Sequence, residues 1–238
     1  MLEVEGLKKS FGGLMAVNNV SFSIKRGELV GLIGPNGAGK TTLFNLITGF
    51  HKPDSGSIKF EGRDITGLRP DRICKMGIAR TFQIVKPFSN IDVTRNVMVG
   101  AFSRTNDYRA AREEAIEVLK LVGLIEKRNE VPSALTIADR KRLELARALS
   151  TKPRMLLLDE VAAGLNPKET LDMIELIRKI HGDGITIFMV EHVMKAIMTL
   201  CERIIVLHHG EKIAEGTPKE IASDEKVIEA YLGEKYLL

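Results

Sequence analysis

Residues 34–42 read Gly34-Pro35-Asn36-Gly37-Ala38-Gly39-Lys40-Thr41-Thr42, and the fold turns on this stretch. Gly34, Gly39, Lys40 and Thr41 satisfy the G-x-x-x-x-G-K-[ST] pattern of a phosphate-binding loop. The apolar run Leu29-Val30-Gly31-Leu32-Ile33 precedes it and Leu43-Phe44-Asn45-Leu46-Ile47 follows, so strand, loop and helix stand in the order the chemistry needs. Glycines let backbone N–H groups converge on phosphate oxygens at a helix N-terminus, where the dipole favours anions. Lys40 supplies a point charge for the β- and γ-phosphates, and the Thr41 hydroxyl a ligand for Mg²⁺. A nucleoside triphosphate is the ligand this pattern predicts.

Outward from the loop, residues 2–30 alternate apolar and polar in short runs, as in Val17-Asn18-Asn19-Val20-Ser21-Phe22-Ser23-Ile24. That is the pattern of half-buried antiparallel strands, with Gly12-Gly13 and Arg26-Gly27 as punctuation. Pro53-Asp54-Ser55-Gly56 reads as a turn feeding a short strand up to Gly62. From about residue 89 to 150 the period becomes helical: Ala111, Ala115, Val118, Leu119 and Val122 share one stripe, and a second helix covers roughly 137–150. Met155-Leu156-Leu157-Leu158 then reads as a buried strand, residues 167–181 as a helix, and Ile185–Val190 as another strand. Strands alternating with helices predict an α/β fold with a parallel sheet and ligands at the carboxyl ends of its strands.

Composition bounds the rest. A chain of 238 residues, 44% hydrophobic and 28% charged, suits one globular domain carrying an insertion. No apolar run approaches the length of a bilayer span, and Met1-Leu2-Glu3-Val4-Glu5 is not a secretory leader. The expectation is a cytosolic protein whose membrane role, if it has one, comes through a partner. The net charge of +4 is interspersed, and the tight basic clusters Lys8-Lys9 and Arg140-Lys141-Arg142 read as solvated faces. With no Trp and 5% aromatic residues, nucleic acid is not an expected partner. Cys74 and Cys201 have no metal spacing and read as reduced packing residues.

Asp159-Glu160 directly follows the strand at 155–158. The first carboxylate can hold Mg²⁺ and the second can orient and deprotonate an attacking water. Gln83 lies in Ala79-Arg80-Thr81-Phe82-Gln83, and His192 follows the last strand in Val190-Glu191-His192. In the order phosphate loop, Gln, helical block, Asp-Glu, His, the chain resembles the ATP-binding subunits of ABC transporters along essentially its whole length.

That resemblance implies an α/β fold: a P-loop, RecA-like parallel-sheet core with an N-terminal antiparallel β layer and an inserted helical subdomain. Residues 1–88 would hold the β layer and the first part of the nucleotide core. The insert would span 89–150, and 151–238 would complete the core with a C-terminal hairpin and helix. The ligands implied are ATP and Mg²⁺, held by Gly34, Pro35, Asn36, Gly37, Ala38, Gly39, Lys40, Thr41 and Thr42, with Phe11 stacking on adenine. Thr41, Asp159 and Gln83 are the implied metal ligands, Glu160 the base, and His192 a contact to the γ-phosphate. The stretch Ile204–Pro218 looks like the family's closing hairpin, making His208 and His209 turn residues. Gly77–Gln83, Asn96–Ala101, Ala162–Pro167 and Val227–Gly233 are similar to the subgroup that serves branched-chain amino-acid importers.

The pattern breaks where family members carry Leu-Ser-x-Gly-Gln, a motif that reaches the nucleotide of the opposite subunit. Here the matching stretch is Leu135-Thr136-Ile137-Ala138-Asp139. Thr136 keeps a hydroxyl and Ala138 an N–H, but Asp139 brings a carboxylate towards a γ-phosphate. Two readings stay open: a capping box that folds Asp139 back on the helix start, or a weakened contact in trans. Val161 replaces the family's usual Pro. Asn166 replaces an Asp in the loop that reaches across the dimer, keeping hydrogen bonding without the charge.

The resemblance therefore implies an ATP-hydrolysing subunit at the cytoplasmic face of the membrane, peripheral to a permease that docks near residues 83–100. A second, different ATP-binding subunit would complete the two nucleotide sites. Other cargoes (lipid, lipopolysaccharide or urea) remain alternatives. So does a soluble ABC protein acting on ribosomes or DNA, although those usually carry two cassettes or long insertions. An ordinary P-loop kinase would not need the ordered Gln and His.

Overall fold

Leu2, Val4 and Leu7 are the buried residues of the first strand, Leu2–Phe11 (β1). The buried set switches from even to odd positions at Gly6, which has φ 56° and sits at a register shift in the pairing with the second strand, Leu14–Ile24 (β2). One extra residue there lets Leu7 face the same side as Val4. The antiparallel reading of this region holds. Leu29–Ile33 (β3) is buried throughout and leads through the glycine-rich loop into Lys40–Ile47 (α1). Ser55–Phe60 (β4) pairs with β1 and with the short Arg63–Asp64 (β5), and Pro70–Lys75 (α2) follows.

The next stretch holds Ile78–Arg80 (β6), Val93–Ala101 (α3), Tyr108–Leu121 (α4) and Ile137–Leu149 (α5). Met155–Asp159 (β7) pairs in parallel with β6, and Pro167–Gly182 (α6) completes it. The stripe read from the sequence in α4 is buried as expected, with Ala111, Ala115 and Leu119 fully enclosed.

Thr186–Val190 (β8), Met194–Leu200 (α7) and the hairpin Arg203–His208 (β9) and Glu211–Gly216 (β10) come next, then Pro218–Ser223 (α8) and Glu225–Gly233 (α9). The hairpin is where it was expected, except that His208 ends β9 and only His209, with φ 48°, lies in the turn. β3 pairs in parallel with both β8 and β9.

The computed structural model describes residues 1–84 and 86–233, so Val85 of the expected docking stretch and the tail 234–238 lie outside the described residues. Packing separates two units, residues 1–73 with the chain from Thr186 onward, and Cys74–Ile185. In the first unit Phe44 of α1 and Phe22 of β2 both meet Phe188 of β8, at ring-centroid distances of 5.1 and 5.5 Å. Arg203 ties β9 to the start of β3 by a bidentate pair on Glu28, at 2.8 Å from both carboxylate oxygens. Cys201 is buried with its thiol pushed up to about 12 by that burial, an inert packing group.

Phe44 is fully enclosed, so Phe44→Ala is expected to destabilise the fold by about 3–5 kcal/mol. Urea unfolding followed by far-ultraviolet circular dichroism measures it; a change below about 1 kcal/mol would contradict the packing described.

Candidate functional site

The first unit carries the phosphate loop. Gly34 has φ 152°, and a Cβ on it would stand 2.1 Å from the Leu207 carbonyl oxygen. Gly39 has φ 101°, and its Cβ would stand 2.3 Å from the carbonyl oxygen of Ala16. Both positions therefore admit only glycine. The Ala38 carbonyl accepts from the Gly210 N–H at 3.1 Å, and the Ala38 N–H donates to the Pro35 carbonyl at 3.2 Å. The buried Lys40 ammonium donates to the Gly34 and Pro35 carbonyls at 2.7 and 2.8 Å, which folds its charge back over the loop. α1 begins at Gly39 without a side-chain cap or an acidic residue in its first turn, an arrangement suited to receiving an anion. Asn36, Gly37 and Thr41 are exposed and Thr42 half-buried. Phe11 is 43% exposed, its ring edge-on to His51 at 5.1 Å. The Lys9 ammonium stands over the same ring at the tip of β1, 5.5 Å from its centroid. His192 is exposed just beyond β8.

The second unit carries the carboxylates. Asp159 ends β7, buried, and pairs with Arg80 at 2.6 Å, while its N–H donates to Thr81 Oγ1 at 3.0 Å. Glu160 follows with φ 52°, an uncommon conformation for a residue with a Cβ. Gln83 Nε2 donates to Glu160 Oε2 at 2.7 Å, so two residues 77 positions apart form one unit. Sequence reasoning named both without pairing them. It also missed Arg80, whose charge balances Asp159.

Arg140-Lys141-Arg142 is not the solvated face expected of it. Lys141 is buried at 7% exposure and donates from Nζ to the Glu160 carbonyl at 2.7 Å. Arg140 donates to the Pro132 carbonyl at 3.1 Å and Arg142 to that of Val122 at 3.4 Å. The signal was present: Lys141 lies four residues before Leu145 and seven before Ala148 on the buried stripe of α5.

The capping box read at Thr136–Asp139 is observed. The Asp139 N–H donates to Thr136 Oγ1 at 3.2 Å, and the Thr136 N–H donates back to Asp139 Oδ2 at 3.2 Å. Lys127 Nζ adds a charge-assisted contact to Asp139 Oδ2 at 2.5 Å. Burial pushes the Asp139 carboxyl up, but the hydrogen bonds from Lys127 and Thr136 override it and hold it below the usual carboxylate value. Ala138 lies half-buried in the first turn of α5. Asn166 caps α6, accepting from the Glu169 N–H at 2.9 Å. Val161 is buried.

A family model described as ABC transporter matches residues 17–163, and one described as branched-chain amino acid ATP-binding cassette transporter matches 211–236. The chain is 46% identical to the high-affinity branched-chain amino acid transport ATP-binding protein LivG of Salmonella typhimurium, over 98% of each. Among solved structures, an ATP-binding cassette of an ABC transporter in its ADP conformation superposes with a TM-score of 0.89 at 32% identity, covering 98% of both chains. A dimeric cassette in a post-hydrolysis state, bound to ADP and Pi, gives 0.83 at 28% identity, covering 92% of this chain and 99% of that one.

Gly34→Ala is expected to weaken ATP binding about tenfold or more, because the added Cβ meets backbone and cannot be relieved by a rotamer change. Titration with a fluorescent ATP analogue reads this; unchanged affinity would refute the close approach to Leu207. Asp139→Ala is expected to cost about 1 kcal/mol of stability at neutral pH. The Asp139 carboxyl is depressed in the folded chain, so its contribution is present above the unfolded value and is lost as pH falls through the folded one. The difference in unfolding free energy between the two proteins should therefore shrink on acidification; a constant difference would mean that the charge of Asp139 is not involved.

Proposed function

We propose a function from one established premise: this chain belongs to the ABC transporter family. It is an ATP-hydrolysing energy-coupling subunit, and its transporter imports branched-chain amino acids. Supporting that cargo are the full-length similarity to LivG and the match of residues 211–236 to the branched-chain amino acid cassette model. The observation that carries the ATPase reading is the phosphate loop, where two glycines that admit no side chain lead into the uncapped start of α1 beside Lys40.

In this reading Gly34–Thr42 cradle the triphosphate through backbone N–H groups, Lys40 pairs with the β- and γ-phosphates, and Phe11 stacks on adenine. Thr41, Asp159 and Gln83 offer hydroxyl, carboxylate and amide oxygens, a hard donor set that fits Mg²⁺. When bound, that ion supplies positive charge for the phosphate oxygens. Glu160 takes the proton of the attacking water and Gln83 orients that water through the Glu160 carboxylate it already meets. His192 contacts the γ-phosphate. Thr136, Ala138 and Asn166 face the nucleotide of a second cassette, and the helical block over 89–150 is the inserted subdomain.

An ATP-binding subunit of an importer works with a membrane permease and a second cassette. We place the permease contact near residues 83–100, where Ile84 is 69% and Phe88 47% exposed. No helix among the described residues is long and apolar enough to cross a membrane, which accords with a peripheral subunit on the cytoplasmic face. The second cassette is a different chain. Thr136 already donates to and accepts from Asp139, so its hydroxyl is engaged within its own helix start and is a weak trans contact.

Glu160→Gln is expected to lower the hydrolysis rate by about a hundredfold or more while ATP still binds. Static light scattering of this variant with ATP–Mg²⁺ at micromolar concentration should give the monomer mass. A stable ATP-dependent homodimer would overturn the assignment of a different second subunit and show that Thr136–Asp139 works in trans.

A further inference from the structure

α5 holds the backbone on both sides of the Gln83–Glu160 pair. Lys141 and Glu144, three residues apart on one face of the helix, are each 7% exposed. The Lys141 ammonium donates to the Glu160 carbonyl at 2.7 Å. The Glu144 carboxylate accepts from Arg147 Nη1 at 3.1 Å and from the Phe82 backbone, one residue before Gln83.

Glu160 needs such support. Its φ of 52° lies in the left-handed region, where a side chain crowds the following carbonyl. A residue other than glycine stays there only when its surroundings over-determine it. A charge-assisted hydrogen bond to that carbonyl fixes the peptide plane, and with it the direction in which the Glu160 Cα–Cβ bond points. The carboxylate is then held where Gln83 Nε2 reaches it at 2.7 Å. A buried ammonium costs desolvation that an apolar side chain of similar length would not, so packing alone gives no reason for a lysine here.

We propose that Lys141 is a positioning residue for hydrolysis: it holds the Glu160 carbonyl and thereby aims the Glu160 carboxylate at the attacking water. The inference rests on the reading of Glu160 as the base. The test uses the whole transporter, captured from solubilised membranes through this chain, and compares wild type with Glu160→Gln, Lys141→Met, Lys141→Arg and the double variant Lys141→Met/Glu160→Gln. The difference in rate between wild type and Glu160→Gln defines the Glu160-dependent activity, free of any hydrolysis by the second cassette.

Lys141→Met should retain about a tenth or less of that activity, with KM for ATP within about twofold of wild type. Lys141→Arg, which keeps a cationic donor, should recover at least about a third. The double variant should match Glu160→Gln, because removing the aim of a base already removed changes nothing further. Thermal unfolding of Lys141→Met reports whether the fold survives. If it does not, the comparison of Lys141→Arg with wild type and of both backgrounds at a permissive temperature still decides. Wild-type kcat in Lys141→Met overturns the proposal, as does a loss that Lys141→Arg does not restore or that recurs undiminished in the Glu160→Gln background. If instead Glu160→Gln hydrolyses ATP at the wild-type rate, the base assignment itself fails, a distinct result.

Discussion

The phosphate loop is built on two close approaches of backbone to backbone. The Leu207 carbonyl oxygen lies 2.1 Å from where a Cβ on Gly34 would stand, and that of Ala16 lies 2.3 Å from the corresponding point on Gly39. The loop is therefore wedged between the end of β9 and the β1–β2 hairpin, and the hydrogen bonds from Gly210 to Ala38 and from Asn18 to Gly210 continue the same seam. Its N–H groups are fixed by the sheet and hairpin and need no side-chain cap of their own. A site made this way is stiff before ligand arrives, which is the condition for electrostatic stabilisation without reorganisation. The parallel pairing of β3 with β8 and β9, and the Arg203–Glu28 pair that pins β9, serve that stiffness.

In the second unit the organising element is α5. Its start is closed by Thr136 and Asp139, with Lys127 compensating the carboxylate, and one turn further its buried face reaches the backbone at Phe82 and Glu160. Asp159 and Glu160, adjacent in sequence, are held by opposite means. The first is buried against a guanidinium, while the second turns through a left-handed conformation and meets an amide. Two carboxylates of the same chemistry are thus given different surroundings, which is how neighbouring acids come to do different work.

The sequence by itself determined the phosphate-loop pattern, since its glycines act through backbone and spacing, both local properties. It determined the type of the strands and helices that frame the loop, because their periods of two and 3.6 are written in runs of apolar residues. It marked Thr136-x-x-Asp139 as a capping box, and the helix start has that geometry.

Only the tertiary structure decided what the charged groups do. Lys141 sits within a run of three basic residues that looks solvent-facing by composition, yet its place on the buried stripe of α5 puts its ammonium against the Glu160 carbonyl. Arg80 and Asp159, 79 positions apart, become an ion pair only because β6 and β7 lie side by side in parallel register. Gln83 meets Glu160 for the same reason. Hydrogen-bond and ion-pair partners are chosen by distances of about 3 Å in space, and sequence spacing fixes such distances only within a single helix, strand or turn.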